Sequence, residues 1–170
     1  MDETTIRAAK PEDADACGRI AAEAWAPIRA SVREHLGDAI YDRFGDRKEQ
    51  KRRAVMQFVR DHPDRACVTE RDGRVVGFLT WMLRTNEAGI VYGEICNNAV
   101  DPSAGGGGVG TRQCAAALEA MRRTGARYAT VHTGGDDAHA RARRMYQKAG
   151  FDHSFPEVAY YMDLGPHPGQ

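Results

Sequence analysis

The residues best suited to chemistry gather in two stretches, Glu94 to Arg112 and His132 to Phe151. The first holds a carboxylate, a thiol and two adjacent amides, Glu94, Cys96, Asn97 and Asn98. It then runs through "VDPSAGGGGVGTR", in which Gly105, Gly106, Gly107 and Gly108 are consecutive and Gly110 follows Val109. Glycine gives up more backbone entropy on ordering than any other residue, so such a run needs a reason. It lies between an apolar run and a helical pattern. A helix N-terminus presents unpaired N–H groups and the positive end of a dipole, and bare backbone lets a phosphate or pyrophosphate approach them. The second stretch holds His132, His139 and Tyr146, each able to move a proton or contact a substrate. A carboxylate such as Glu94 inside an apolar strand is costly unless it is satisfied or used.

Several nucleotide loops share glycine. A Walker A loop ends in Gly-Lys-Ser/Thr, whereas Gly110 is followed by Thr111 and Arg112. Gly105, Gly107 and Gly110 satisfy G-x-G-x-x-G, but within a glycine run that match is cheap. A dinucleotide fold places this loop after its first strand and an acid at the tip of the second. Here other structure precedes the loop, and the next strand ends in "VHTGG".

Those residues need a scaffold. "TTIRAAKPEDADACGRIAAEAW" reads as a strand and then a helix, with acidic residues after Pro11 suiting a helix N-terminus. Two more helical pieces follow, divided by Gly37 and Gly45 and closed by Pro63. Asp72-Gly73 marks a two-residue hairpin turn. After it, Val75, Gly77, Leu79, Trp81 and Leu83 share one strand face, with Val76, Phe78 and Met82 on the other. That pattern predicts a central strand covered on both sides. "GIVYGEICNNAV" is the next strand; regular alternation puts Asn98 on the face of Glu94 and Asn97 opposite, unless a bulge intervenes. A helix with Val109, Cys114, Ala117, Leu118 and Met121 as its apolar positions follows and is capped by Gly125. Then come the strand "RYATVHTG", a short helix ending at Gly150, and a last strand, "PEVAYYMDL". The order predicts one mixed α/β sheet with helices on its faces, in a single domain over residues 1–165 with a tail at 166–170.

"VDPSAGGGGVGT" resembles the acyl-CoA signature of the GNAT superfamily of acetyl-CoA-dependent N-acetyltransferases, a strand ending in Val-x-Pro before Gln/Arg-x-x-Gly-x-Gly/Ala. Gly108, Val109 and Gly110 fill its second half, while Gly105 stands at the Gln/Arg position. The resemblance extends to "ARRMYQKAGF", where Ala142, Met145, Tyr146, Lys148, Gly150 and Phe151 fit the family's closing pattern and His139 replaces its usual Asn. It implies a mostly antiparallel sheet and acetyl-CoA as co-substrate. It assigns Glu94 as general base and Tyr146 as the acid that protonates the CoA thiolate. Asn98, Ala99 and Val100 are the strand that pairs with pantetheine, with a main-chain N–H near Asn98 polarising the thioester. Gly105 to Thr111 and His139 complete the cofactor site. Trp25, Tyr41, Asn97 and His132 are candidates for the acceptor side. Arg141, Arg143 and Arg144 read as a solvated helix face, or as contacts to the 3′-phosphate.

Lys+Arg and Asp+Glu both number 24, so net charge gives no ground for nucleic acid or an anionic membrane as partner. Cys17, Cys67, Cys96 and Cys114 lack zinc spacing and read as reduced thiols, Cys96 being the one that could react. No apolar run approaches a membrane span and the start lacks a signal-peptide core, so a cytoplasmic protein is expected. The expected function is acetyl transfer to the primary amine of a small molecule by direct attack in a ternary complex. The alternatives are a protein lysine or N-terminal acetyltransferase, or a non-catalytic acyl-CoA-binding protein. The sequence admits a homodimer without requiring one.

Overall fold

The computed structural model describes residues 4–104 and 106–165. Five strands in these residues form one sheet in the order β1 (Thr4–Ala8), β2 (Ala66–Arg71), β3 (Arg74–Thr85), β4 (Val91–Val100) and β5 (Ala129–Val131). The first four are antiparallel to their neighbours and β5 runs parallel to β4. The helices are α1 (Ala14–Ala24), α2 (Ala26–Tyr41), α3 (Arg47–Asp61), α4 (Val109–Arg123) and α5 (Ala140–Lys148).

The hairpin forms where the Asp-Gly pair predicts it. Asp72 and Gly73 have φ of 49° and 73°, and Arg71 pairs with Arg74 across the turn. The strand that follows, β3, is buried on both faces. Phe78 packs with Ile20, Val55 and Val59 of α1 and α3. On the opposite face Leu79 and Trp81 pack with Cys114, Ala117 and Met121 of α4 and with Tyr146 of α5. The two helical layers therefore meet through one central strand, so both walls of anything cut into the sheet beside it are held from the same core. Local polar contacts fix the helix starts: the Asp13 carboxylate accepts from the Lys10 N–H at 2.8 Å and pairs with Arg7 at 2.7 Å, and Asp46 caps α3 by accepting from the Glu49 N–H. Pro27 opens α2 rather than merely interrupting, and Gly37, with φ of 73°, breaks that helix near its end.

One expectation needs correction, and one left open is decided. Among the described residues, the segment "PEVAYYMDL" joins no strand; residues 152–165 carry no regular structure and make no backbone–backbone hydrogen bond. Its sequence keeps a strand's alternation, but among the described residues no strand pairs with it. The register follows the alternative of a bulge. Thr80 pairs with Asn97 and Trp81 with Ile95, leaving Cys96 as an extra residue in β4. A bulge of this kind reverses the facing of everything beyond it. Asn97 therefore shares the face of Glu94, which lies opposite Met82, and Asn98 turns to the α4 side.

Candidate active site

The parallel pairing of β4 with β5 stops at Ile95, opposite Val131. Beyond it β4 runs on to Val100 with a partner on the β3 side alone, so half of its backbone groups turn into an opening between the strands. That opening is a cleft of about 710 Å³. Cys96, Asn97, Asn98, Ala99 and Val100 form one wall, and Val131, His132 and α5 the other.

The start of α4 closes one end. Gly106, Gly107 and Gly108 have φ of 108°, 61° and 70°, a left-handed conformation that only glycine takes at little cost. No side chain caps the helix. The first intrahelical bond is the Arg112 N–H to the Gly108 carbonyl at 3.0 Å, which leaves the N–H groups of Val109, Gly110 and Thr111 without a helical acceptor. Gly106, Gly108, Val109, Gly110 and Thr111 line the cleft. Gly107 does not, and its carbonyl accepts from the Arg112 guanidinium. Gly105 lies outside the described residues.

Two polar residues that hold this end in place, Gln113 and Asp101, were not picked out from the sequence. Gln113 is completely buried. Its Nε2 donates to Asn98 Oδ1 at 2.8 Å and to the Phe78 carbonyl at 3.0 Å, while its Oε1 accepts from Thr69 Oγ1 at 2.7 Å. It thus ties α4 to three strands. The signal was present: Gln113 falls four residues from both Val109 and Ala117, on the helix's apolar stripe. Asn98 completes the tie by donating to the Gly110 carbonyl at 3.1 Å. Asp101 anchors the entry to the glycine loop. It accepts from the Ser103 hydroxyl at 2.7 Å and from Arg19 at 2.9 Å, and these bonds hold its carboxyl down at about 2.

On the α1–α3 side, Trp25 and Asn97 line the cleft as expected, joined by Lys51 of α3. The Lys51 ammonium lies 4.1 Å from the Trp25 ring centroid and donates to Asn97 Oδ1 at 2.5 Å. Burial pushes its pKa down to about 8. Sequence reasoning missed Lys51, because nothing in a helix rich in lysine and arginine distinguishes the one cation that turns inward. Tyr41 lies instead against Phe44, outside the cleft lining.

Tyr146 lines the cleft with 8% of its surface exposed. Burial, with the nearby Cys114 adding to it, raises its pKa and keeps the phenol protonated. Glu94 is placed differently. It pairs with Arg84 at 2.9 Å, its side chain is 27% exposed, and it is not among the lining residues. His132 and His139 both reach the cleft. His139 Nδ1 is bound to Asp136, whose other oxygen accepts from Ser31 Oγ at 2.5 Å. In that chain the serine bonds the carboxylate rather than the imidazole, so no nucleophile is activated. Arg141 and Arg144 line the cleft, as does Lys148, whereas Arg143 ties the loop before α5 by donating to the carbonyls of Gly134 and Asp136. Among the described residues, no group of His, Cys, Asp and Glu is arranged to hold a metal, and no helix is long and apolar enough to cross a membrane.

The residues present fit a CoA thioester: free N–H groups at a helix start, a strand edge for the pantetheine amides and cations beside both. Comparison with known proteins agrees. No curated protein sequence matches the chain. Solved structures do, at low identity, which speaks to the fold. One is the PaiA N-acetyltransferase of Thermoplasma acidophilum in complex with coenzyme A, with a TM-score of 0.68 at 16% identity over 91% of this chain and 93% of that one. Another is the glucosamine-6-phosphate N-acetyltransferase of Arabidopsis thaliana, at 0.58 and 14% over 95% and 99%. A third is a ribosomal-protein-alanine N-acetyltransferase from Brucella melitensis biovar Abortus 2308, at 0.55 and 14% over 97% and 100%. The sequence model of the acetyltransferase (GNAT) family matches residues 29–151. With that match spanning most of the chain, the protein is an acetyl-CoA-dependent N-acyltransferase and the chain belongs to the acetyltransferase (GNAT) family.

Proposed function

We propose that the chain acetylates a primary amine on a small-molecule acceptor, by direct attack of the amine with both substrates bound. The observation that carries this reading is the division of one cleft. Tyr146, the α4 start and the cations of α5 stand on one side, and Trp25, Lys51 and Asn97 on the other. Acetyl-CoA supplies the acyl thioester and the leaving thiolate. The N–H groups of Val109, Gly110 and Thr111 receive its pyrophosphate, and Arg141, Arg144 and Lys148 balance the charge. The open edge from Asn98 to Val100 pairs with the pantetheine amides as an added strand would. A main-chain N–H at Asn98 polarises the carbonyl, an arrangement supported by the Gln113 bond that fixes the residue. Tyr146 gives its proton to the departing sulfur.

The acceptor's proton goes to Glu94 through a water, because the carboxylate is already paired with Arg84 and stands back from the cleft. One observation favours a second base: Lys51 is within the cleft and loses its proton near pH 8. The experiment is an amine panel followed by thiol release, preceded by thermal shift. Acetyl-CoA at about 100 times Kd should stabilise by roughly 2.7 kcal/mol, and NADH far less. Release with peptide amines and not with small ones would replace the acceptor class.

A further inference from the structure

Helix α3 carries six basic residues, and four of them have acidic partners. Lys48 pairs with Glu23 at 2.8 Å, Arg52 and Arg53 with Glu49 at 2.7 and 2.6 Å, and Arg60 with Asp15 at 3.1 Å. Arg47 and Lys51 are left over: among the described residues, no carboxylate forms an ion pair with either. They stand four positions apart on one side of the helix, where like charges repel. Arg47 lies over the rings of Tyr41 and Phe44, at 5.9 and 4.9 Å. Of the six, Lys51 alone lines the cleft.

What the Lys51 ammonium meets there is neutral. Trp25 offers a ring face and Asn97 its carbonyl. The orientation of that amide is fixed, because Asn97 Nδ2 donates to the buried Thr80 hydroxyl at 2.8 Å and an ammonium cannot accept. The Cys96 thiol is near, but partial desolvation raises its pKa and leaves it uncharged at neutral pH. An ammonium has three N–H donors. Asn97 Oδ1 takes one, and among the described residues no second side-chain or backbone oxygen accepts from Lys51.

The acids of the cleft do not make up the deficit. Among the described residues they are Glu23 and Asp101, and both are engaged, Glu23 with Lys48 and Asp101 with Arg19 and Ser103. A polycationic amine would enter a cleft whose carboxylates are taken and whose acceptor side holds an unneutralised cation.

We infer that the acceptor carries an anionic group, a carboxylate or a phosphate, beside its amine, and that Lys51 receives it. This rests on the proposed transfer to a small amine and names the substrate class. The anion supplies the charge that α3 lacks at this point and takes the open donors of the ammonium, a charge-assisted bond in a partly desolvated place. Lys51 is bonded to Asn97, the neighbour of Asn98 in β4, and consecutive Cα atoms are about 3.8 Å apart. The anion and a thioester carbonyl polarised at Asn98 are thereby held close together, which suits an acceptor with only a few bonds between amine and anion. On this assignment Lys51 stays protonated throughout, and Glu94, through water, takes the acceptor's proton.

The test is kcat/KM at pH 7, read by thiol release, for matched acceptors. Glycine, β-alanine and γ-aminobutyrate are set against their amides, and phosphoethanolamine against ethanolamine, so that the two sets separate carboxylate from phosphate. Each pair is run on the wild type, Lys51→Met and Lys51→Arg. Comparing the anionic-to-neutral ratio between proteins cancels the differing basicity of the amines. In Lys51→Met that ratio should fall at least about tenfold for the preferred anion, chiefly through KM, and Lys51→Arg should restore most of it. The acetyl-CoA thermal shift of each variant checks that it folds and that the cofactor side is intact. A ratio that Lys51→Met leaves unchanged would overturn the inference while transfer to small amines still stood, and an equal loss for both members of a pair would mark Lys51 as a base instead. Release with peptide amines alone would remove the small-molecule reading and this inference together.

Discussion

The protonation of Lys51 bears on both stability and the cleft, since the ammonium is buried among the residues that line it. Its native pKa, about 8, lies below the roughly 10.4 of an unfolded lysine. Below pH 8 both states hold the proton and the native state bears the full cost of burying it. Between pH 8 and 10.4 the unfolded chain holds more protons, so this residue's contribution to stability rises with pH. Urea unfolding at pH 7, 8.5 and 10 isolates that contribution as a difference: the stability of the wild type relative to Lys51→Met should rise with pH, while the buried thiols make both proteins less stable toward pH 10. Proton transfer is tested at the same scale. Tyr146→Phe keeps the ring packed against Phe151 and should lower kcat by about 10²–10⁴-fold for every acceptor, since the leaving group is always the same. Glu94→Gln should lower kcat/KM for strongly basic amines and spare weakly basic ones. If Lys51→Met shows that pattern instead, the lysine is the base. Tyr146 and the loop glycines were legible in the sequence because their signals are local in the chain. Lys51 was not, since its environment is made by Trp25 and Asn97, distant in sequence.

At the scale of elements, the join between α4 and the sheet is the tightest point of the design. Gly77 is conformationally ordinary, but a Cβ there would overlap Gln113 Oε1 and sit 3.1 Å from the Ala99 carbonyl. Gly77→Ala should therefore cost about 1–3 kcal/mol by overpacking and also disturb Asn98. Gly93 faces Met121, whose flexible thioether can move aside, so Gly93→Ala should cost less. Chemical denaturation of both variants checks the order. The hairpin, the central strand and the helix caps followed from composition and alternation. The facing of Asn97 and Asn98 did not, because one extra residue at Cys96 decides it and a bulge has no firm signature in the strand that contains it. The last strand failed for a related reason: alternation describes a strand's faces and says nothing about whether a neighbour stands beside it.

For the molecule as a whole, the neutral charge total conceals a set of buried-end ion pairs that set its acid limit. Asp13 is held down by Arg7, and Asp101, by Ser103 and then Arg19, at about 2. Native values below the unfolded carboxylate range mean that the stability they contribute is complete above about pH 4 and is lost as pH falls through those native values. Unfolding followed by circular dichroism at pH 7, 4 and 2.5 should show little change over the first step and a large loss over the second. Asp101→Asn should flatten part of that loss and loosen the glycine loop. The bulge has one further result. Cys17, Cys67 and Cys114 are buried, with burial raising their thiols to about 12, 12 and 11, while Cys96 is exposed on the cleft wall. A disulfide reagent added to the folded protein should thus titrate a single equivalent, and a bound acyl-CoA should shield it. The enzyme carries its own occupancy gauge, and the same thiol sets the zero from which any assay counting released CoA must begin.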